Sequence, residues 1–253
     1  MQIPIFVINL PKDKERLIFM ENQINKLGLS YEIIKGFYGD DEKVIQNCDD
    51  QLAIKEHGKV LMKGEKGCAY SHRFIYEKML KENIDCALIL EDDAILPKNF
   101  SEILVKEIKR KNKNWDWLSF DYPRIGGVFI LAWIVASKNE TIKNKMFFFY
   151  ALLKFIPIVI LSIYELMRNF LANVIPSFAG PKIFYRPLYN AGAYLITQEG
   201  IEKMKPLLYP IRFSADRTPN QARVRTGLKM RWYVPLIVRQ NDGKDGFVSN
   251  TIM

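Results

Sequence analysis

The stretch Cys86-Ala87-Leu88-Ile89-Leu90-Glu91-Asp92-Asp93 decides the fold, because it joins an apolar run to three consecutive acids. The apolar run predicts a buried strand. Carboxylates cannot follow it into a core without a partner or a metal ion, so they are expected at the strand's carboxyl end, beside a cleft. Their mutual repulsion requires a counter-ion, and a hard divalent cation such as Mg²⁺ or Mn²⁺ prefers oxygen ligands. An ordinary acidic turn is the alternative interpretation.

The residues around this stretch alternate between strand and helix patterns. Apolar runs predict strands at 3–9, 31–34 and 115–120, and helical spacing predicts helices over 14–27 and 66–81. Residues 36–63 are polar and irregular, which predicts a long loop with one helical turn. Asn99, followed three residues later by Glu102, has the spacing of a capping box before a helix over 103–108.

The same alternation returns after residue 187. It predicts a strand at 193–196, a helix over 198–204 capped by Thr197, a strand at 231–238 and a polar, mobile tail. This order is typical of a mostly parallel sheet with helices on both faces. We therefore expect one α/β domain, with a nucleotide-binding half at 1–125, an apolar helical insertion at 126–180 and a second half at 181–253.

The expected insertion contains two strongly apolar runs, at 128–136 and 146–163. The second run has the minimum length of a membrane span, but Lys154 and Pro157 interrupt it. Flanking basic residues with aromatic residues between them suit a helix that lies in the bilayer surface. Interfacial membrane contact, a buried helical insertion and a true span are the three interpretations.

Charge and cysteine content limit the partners and the compartment. The 253-residue chain carries 37 Lys and Arg against 28 Asp and Glu, a net charge of +9, which favours anionic partners. No nucleic-acid-binding signature accompanies this charge, so we expect no nucleic acid as a partner. Three cysteines form no CxxC pair, and the N-terminus has no signal-peptide pattern. Both features favour a reducing, cytoplasmic location.

Several other side chains are candidates for the same cleft. Asn9 and Leu10 end the first predicted strand and share an edge with the acids if the two strands are parallel. Arg16, early in the next helix, has a group suited to a diphosphate, although it is equally typical of a solvated helix face. Cys68 and His72 are four residues apart on one helix face and are either a metal pair or structural residues.

A downstream loop places Asp216 beside Arg217, either as a general base or as a surface pair. The chain contains none of the motifs GxxxxGK[ST], GxGxxG, GxSxG and HExxH. Their absence argues against P-loop NTPases, Rossmann dehydrogenases, serine hydrolases of that type and zinc proteases.

Three blocks of sequence together resemble glycosyltransferase family 25, which contains lipooligosaccharide and collagen galactosyltransferases. They are Phe6-Val7-Ile8-Asn9-Leu10 with Arg16, Gly64-Glu65-x-Gly67-Cys68-x-x-Ser71-His72, and Leu88-Ile89-Leu90-Glu91-Asp92-Asp93-Ala94. Asn190-Ala191-Gly192-Ala193-Tyr194-Leu195-Ile196-Thr197 with Gly200 is similar to a later block of that family, and Asp216 to its downstream Asp. The residues from 128 to 175 match no family motif.

The resemblance implies a GT-A-like α/β fold, a Rossmann-type nucleotide-binding mixed sheet flanked by helices. It implies a metal-dependent, inverting transfer of galactose or glucose from UDP-galactose or UDP-glucose to a lipid-linked lipooligosaccharide or lipopolysaccharide acceptor, with a β-linkage. Residues 1–125 become the nucleotide-sugar half and 181–253 the acceptor side. The expected location is the cytoplasmic face of the bacterial inner membrane, in peripheral contact with its acidic surface. The oligomeric state stays open.

The resemblance also implies roles for single residues. Asp93 is the expected direct ligand of Mn²⁺ or Mg²⁺, with Asp92 beside it. Glu91 and Asp92 are expected to hold metal-bound water or the ribose, and donor binding is expected to involve Asn9, Leu10, Arg16 and His72. Inversion needs a carboxylate base, which is Asp216, with Asp121 in reserve. The alternatives are another metal-dependent nucleotide enzyme, such as a nucleotidyltransferase, and a non-catalytic membrane-associated scaffold.

Overall fold

The computed structural model describes residues 3–110, 113–121, 164, 167–183 and 190–241. The chain divides into two compact units, residues 1–122 with 180–253 and residues 123–179. In the second unit the described residues include a 3-10 turn at Pro176–Phe178. The apolar runs predicted to meet a membrane or to form a buried insertion, 128–136 and 146–163, lie outside the described residues. No helix among the described residues is both long and apolar enough to cross a membrane.

The first unit is built around a seven-stranded mixed sheet. Its strands, in chain order, are β1 Ile5–Asn9, β2 Glu32–Lys35, β3 Cys86–Glu91, β5 Trp117–Ser119, β6 Gly180–Lys182, β7 Ala193–Thr197 and β8 Met230–Val234. In space the order is β2-β1-β3-β7-β5-β8-β6. The β1–β2, β1–β3 and β5–β8 pairs are parallel, and the other three pairs are antiparallel. A separate two-stranded sheet joins β4 Ala94–Ile95 to β9 Arg239–Gln240.

Helices cover both faces of this sheet. The described helices of the first unit are α1 Lys14–Lys26, α2 Glu42–Gln46, α3 Asp50–His57, α4 Lys63–Lys81, α5 Phe100–Ile108, α6 Gln198–Leu208 and α7 Arg217–Arg225. The predicted α/β class with flanking helices is confirmed. The prediction of a loop with one helical turn over 36–63 is wrong, because α2 and α3 lie there. Both are short and bury one residue each, Val44 and Ala53, so they lack a clear apolar period.

The core has one layer on each face of the sheet, and β3 shows why. Successive side chains of a strand point to opposite faces. Leu88 and Leu90 pack with Met20 and Ile24 of α1 in one cluster, while Ile89 packs in the other cluster, which includes residues of α4 and α6. A strand buried on both faces reads as a continuous apolar run, which is the pattern that 86–90 shows.

Two predicted helix caps have different outcomes. The Thr197 side chain accepts a hydrogen bond from the Gly200 backbone N–H, so this cap is confirmed. Asn99 does precede α5, but its side chain makes no capping bond, and that part of the prediction is wrong. Its backbone, at φ −96° and ψ 17°, is not in the extended conformation from which an N-cap side chain reaches back to the helix.

The strand predicted at 231–238 is divided in the structure. Strand β8 ends at Val234, immediately before Pro235, which has no N–H to donate to a ladder. The chain then forms β9, in which Gln240 pairs with Ala94. The prediction of a mobile tail is therefore wrong for residues 239 and 240, and residues 242–253 lie outside the described part of the chain.

Gly67 allows helix α4 to approach the loop after β2. A Cβ atom at this position would lie 2.4 Å from the Phe37 carbonyl oxygen and 2.9 Å from the Gly39 nitrogen. Ser71, one turn later, accepts a hydrogen bond from the Phe37 N–H at 2.9 Å. The close approach therefore fixes the part of α4 that carries Cys68 and His72.

We expect Gly67→Ala to lower the free energy of unfolding by about 1–3 kcal/mol, because the backbone of residues 37–39 must move to admit the methyl group. Urea unfolding followed by circular dichroism measures the change. Lys81→Ala, an exposed substitution at the end of the same helix, is the control and should change the value by less than about 0.5 kcal/mol. Equal stabilities for the two variants would contradict the close approach.

Candidate functional site at the carboxyl edge of two parallel strands

The parallel pairing of β1 and β3 brings the predicted edge residues together. Ile8 lies opposite Glu91 in the register, so Asn9 and the acids after Glu91 leave the sheet side by side. Asn9 donates from Nδ2 to Asp92 Oδ2 at 2.6 Å and to the Asp13 carbonyl oxygen at 3.0 Å. The expectation that Asn9 shares an edge with the acids is confirmed by this geometry.

Arg16 is the counter-ion of the acidic pair. Its Nη2 lies 2.7 Å from Asp92 Oδ1 and 2.8 Å from Asp93 Oδ2. The Leu10 carbonyl accepts a hydrogen bond from the Asp13 N–H, and this turn places Arg16 in the first turn of α1, facing β3. Arg16 is thus not a solvated surface residue, because its side chain is 13% exposed. Its contact with a diphosphate stays a prediction.

Asp92 and Asp93 differ in how fully their oxygens are bound. Both oxygens of Asp92 have partners, Arg16 and Asn9. Asp93 Oδ2 contacts Arg16, but Asp93 Oδ1 is buried and has no hydrogen-bond partner among the described residues. A buried carboxylate oxygen without a partner is costly unless a ligand or a proton meets it.

Burial and neighbouring charge raise the pKa values of Asp92 and Asp93 toward neutral pH. Burial raises the pKa of Asp92 to about 6, although Arg16 and Asn9 oppose the rise. Burial and the negative charge of Glu91 raise the pKa of Asp93 to about 7. A strongly raised carboxyl pKa is typical of a functional site, because a bound cation or a proton transfer can use the unfavourable buried charge.

Glu91 is held by three side chains, two from α4 and one from β9. Its Oε1 lies 3.1 Å from His72 Nε2 and accepts from the Cys68 thiol at 3.4 Å, and its Oε2 accepts from Gln240 Nε2 at 3.1 Å. Burial alone would raise the pKa of Glu91, but His72, Cys68 and the charge of Arg16 together lower it. Glu91 is therefore ionised at neutral pH.

His72 connects Glu91 to a pair of buried tyrosines. The ring is 1% exposed, and its Nδ1 lies 2.7 Å from the Tyr194 hydroxyl. That hydroxyl lies 2.7 Å from the hydroxyl of Tyr76, and the Tyr194 ring stacks on Trp117 at 3.6 Å. Both nitrogens of His72 thus have protein partners, and its predicted contact with a donor stays a prediction.

Asp121, the reserve base, lies just after β5 and is 1% exposed. Its Oδ2 accepts from the Ala193 backbone N–H at 2.9 Å, and its buried Oδ1 has no partner among the described residues. Burial raises the pKa of Asp121 well above its usual range, and the charges of Glu91 and Asp93 add to the rise. Asp121 is therefore close enough to Glu91 and Asp93 for their charges to raise its pKa.

Asp216 lies directly before α7 and is only partly buried. Its Oδ1 accepts from the Ser214 hydroxyl at 2.6 Å. Burial raises the pKa of Asp216, and the charge of Glu91 contributes to the rise. The neighbouring Arg217 contacts His57 rather than Asp216, so the predicted Asp–Arg surface pair is not formed.

Sequence reasoning missed the contribution of β9. Gln240 donates both to Glu91 and, at 2.8 Å, to Asn190 Oδ1. The Asn241 N–H donates to the Asp93 carbonyl at 2.8 Å. A two-residue strand after a proline has no recognisable period, so no local signal marked these residues.

The sequence model of "Glycosyltransferase family 25 (LPS biosynthesis protein)" matches residues 2–218. The chain belongs to glycosyltransferase family 25. That match covers the strands β1, β3 and β7 and every predicted site residue, including Asp216. The family resemblance drawn from the sequence blocks is thereby confirmed.

Named members of the family are similar over part of this chain. "Procollagen galactosyltransferase 1-B" of Xenopus laevis is 26% identical over 132 residues, which cover 48% of this chain and 21% of that protein. "Lipooligosaccharide biosynthesis protein lex-1" of Haemophilus influenzae is 39% identical over 72 residues, 28% of this chain and 21% of that protein. The chain thus spans about a fifth of the length of these curated relatives.

One solved structure is similar over nearly the whole length of both chains. It is described as a glycosyltransferase involved in the glycosylation of the major capsid of PBCV-1, and the similarity covers 98% of this chain and 95% of that one. The TM-score is 0.44 and the identity is 9%, values too low to define a common fold.

We expect Asp93→Asn to stabilise the metal-free protein at pH 8 by about 1–3 kcal/mol. The folded-state pKa of about 7 lies above the usual 3.8, so Asp93 favours folding in acid and loses that contribution as pH rises through about 7. Asparagine removes the buried charge, and the lost contact with Arg16 offsets part of the gain. Urea unfolding at pH 8 and at pH 5 measures the difference in the free energy of unfolding between Asp93→Asn and the parent protein. We expect this difference to be smaller at pH 5.

The control for this measurement is Asp40→Asn, which neutralises an exposed acid paired with Lys63 at 3.4 Å. Exposed pairs contribute little, so this variant should match the parent protein within about 0.5 kcal/mol at both pH values. If Asp93→Asn were less stable than the parent at pH 8, the buried charge would not be the dominant effect.

Proposed function

We propose that this chain is a metal-dependent, inverting glycosyltransferase with a GT-A-like fold, which transfers galactose or glucose from a UDP-sugar to a lipooligosaccharide or lipopolysaccharide acceptor. The observation that carries the proposal is the buried Asp93 Oδ1, which has no hydrogen-bond partner among the described residues and lies beside Asp92 and Glu91 at the carboxyl edge of β3. Family membership supplies the reaction class. The names of two relatives support a galactosyl donor and a lipooligosaccharide product.

The donor atoms at this edge fit Mn²⁺ or Mg²⁺, because they are carboxylate oxygens. Asp93 is the proposed direct ligand, since its Oδ1 is available. Asp92 has both oxygens engaged by Arg16 and Asn9, so its direct contact with the ion would require one of these bonds to open. When bound, the ion supplies positive charge that stabilises the departing diphosphate.

The surrounding side chains are proposed to bind and orient the donor. Asn9 and Arg16 hold the Asp92 carboxylate in one orientation, and the turn at Leu10 sets the start of α1. Glu91 stays ionised and is fixed by His72, so it can accept a hydrogen bond from ribose or from bound water. Arg16 gains a diphosphate as a third charged partner, after Asp92 and Asp93, when a donor enters.

Asp216 is the proposed base that takes the proton from the acceptor hydroxyl. It is partly exposed, while Asp121 is fully buried and bound to a backbone N–H. The raised pKa of Asp216 makes it a stronger base than an ordinary aspartate, and inversion needs no protein nucleophile. We propose that Asp121 contributes to the charge balance of the site and does not transfer the proton.

The acceptor side is proposed from charge and from family membership. A net charge of +9 favours an anionic acceptor and an acidic membrane surface. We therefore place the reaction at the cytoplasmic face of the membrane, with residues 128–163 as the region whose membrane contact is to be tested.

A donor screen tests the reaction class. Purified protein is incubated with UDP-galactose, UDP-glucose or UDP-N-acetylglucosamine, with Mn²⁺ or with EDTA. We expect release of UDP from one of the two hexose donors, lost with EDTA, because the carboxylate cluster needs the ion's charge to hold the diphosphate. Conversion of the UDP-hexose and added pyrophosphate into UTP and hexose 1-phosphate would instead indicate a nucleotidyltransferase, and absence of any UDP binding would favour a non-catalytic scaffold.

Removal of the base should separate chemistry from donor binding. We expect Asp216→Asn to lower kcat by about 10²–10⁴-fold, the range for a general base, with unchanged affinity for UDP and Mn²⁺. Single-turnover rates and calorimetric titration with UDP measure the two quantities. Ser214→Ala, which removes the hydroxyl bound to Asp216, is the milder companion variant. A kcat within threefold of the parent for Asp216→Asn would exclude Asp216 as the base.

A further inference from the structure

The three residues Cys68, His72 and Glu91 form a cluster of a different chemistry from the acidic pair. One ligand atom of each, the thiol Sγ, a ring nitrogen and a carboxylate oxygen, lies within 4.8 Å of the other two. Among the described residues this is the one group of three or more such side chains that satisfies that distance. Cys68 and His72 project from adjacent turns of α4, and Glu91 faces them from the end of β3.

We infer that Cys68, His72 and Glu91 bind a soft divalent cation, Zn²⁺ being the best match, at a site separate from the proposed Mn²⁺ or Mg²⁺ site at Asp93. One thiolate, one imidazole and one carboxylate are ligands that Zn²⁺ takes together in proteins, and three protein ligands leave a fourth position open. The inference concerns binding and does not depend on the proposed function.

The surroundings of His72 match those of a metal-binding histidine. Such a residue usually donates its second ring N–H to an outer partner, which fixes the ring and its tautomer. Here Nδ1 lies 2.7 Å from the Tyr194 hydroxyl, and that hydroxyl lies 2.7 Å from Tyr76. Stacking of Trp117 on Tyr194 at 3.6 Å holds the outer partner in place.

Glu91 is likewise oriented from outside the cluster. Its Oε2 accepts a hydrogen bond from Gln240 at 3.1 Å, which turns Oε1 toward Cys68 and His72. Oε1 therefore faces two positions, the thiol and the ring Nε2, that bear protons in the metal-free protein. A cation at the centre of the cluster replaces those two hydrogen bonds with three ligand bonds.

The proton balance of binding follows from these contacts. The thiol of Cys68 loses its proton to solvent as the sulfur binds the cation. For a neutral ring, the proton moves from Nε2 to Nδ1, where the Tyr194 oxygen accepts it, and Nε2 becomes free to bind. One thiolate and one carboxylate then balance the charge of the divalent ion, so the buried cluster becomes neutral.

The two cation sites differ in the softness of their ligand atoms. Both lie close to Glu91, so the negative charge of this residue acts on both. The Asp93 side offers only oxygen atoms, which suit Mn²⁺ and Mg²⁺, while the Cys68 sulfur selects Zn²⁺ or its analogue Co²⁺. Zn²⁺ bound at Oε1 neutralises the charge of Glu91 and thereby weakens the attraction for Mn²⁺ at Asp93. If the proposed function holds, Zn²⁺ therefore opposes the Mn²⁺-dependent reaction.

Cobalt titration of the purified full chain tests the inference. Co²⁺ bound to a thiolate gives a sulfur-to-cobalt charge-transfer absorption, which oxygen and nitrogen ligands do not give. We expect one equivalent of Co²⁺ to produce this band, and Zn²⁺ to displace it. Cys68→Ser should abolish the band and weaken Zn²⁺ binding at least about tenfold.

Two control variants make the result specific. Cys48→Ser changes a half-buried thiol outside the cluster and should keep the band. Asp93→Asn should also keep it, which separates this site from failure of the proposed Mn²⁺ site. Thermal unfolding shows whether each variant is folded, and Cys68→Ala is the second variant if the serine is not. No band in the parent protein, or a band that survives in folded Cys68→Ser, overturns the inference.

Discussion

The contact of Arg16 with Asp92 and Asp93 is the interaction on which the rest of the site depends. Two buried carboxylates next to an ionised Glu91 cannot coexist without positive charge. The guanidinium reaches both at 2.7 and 2.8 Å because β1 and β3 are parallel neighbours and α1 starts directly after β1. A sheet with any other neighbour for β3 at this position would separate Arg16 from the acids.

The positive charge of Arg16 does not compensate all the negative charge of the neighbouring acidic residues. The pKa of Asp93 stays at about 7, and that of Asp121 stays well above its usual range. Both residues also keep one buried oxygen without a partner among the described residues. This surplus of negative charge opposes folding above neutral pH and supports the proposed binding of a cation. Such a compromise between stability and function is common at enzyme sites.

The sequence predicted the position of a residue well where that position depends on a single strand or helix. The apolar run of β3 and the acids after it were predictable, since burial on both faces leaves a continuous apolar pattern. Thr197 as a helix cap was also predictable, because a cap depends only on residues close to it in the sequence. The pairing of Arg16 with Asp92 and Asp93 was not, because it depends on strand order. The role of Gln240 depends on a two-residue strand that carries no pattern of its own.

The central claim is that the Asp93 carboxylate holds a hard cation that carries the donor diphosphate. Calorimetric titration of UDP into the parent protein and into Asp93→Asn, each with and without Mn²⁺, tests it most directly. The account predicts UDP binding to the parent only with Mn²⁺, and binding at least about tenfold weaker in Asp93→Asn. Equal UDP affinity in the two proteins, or binding that is independent of Mn²⁺, would contradict it.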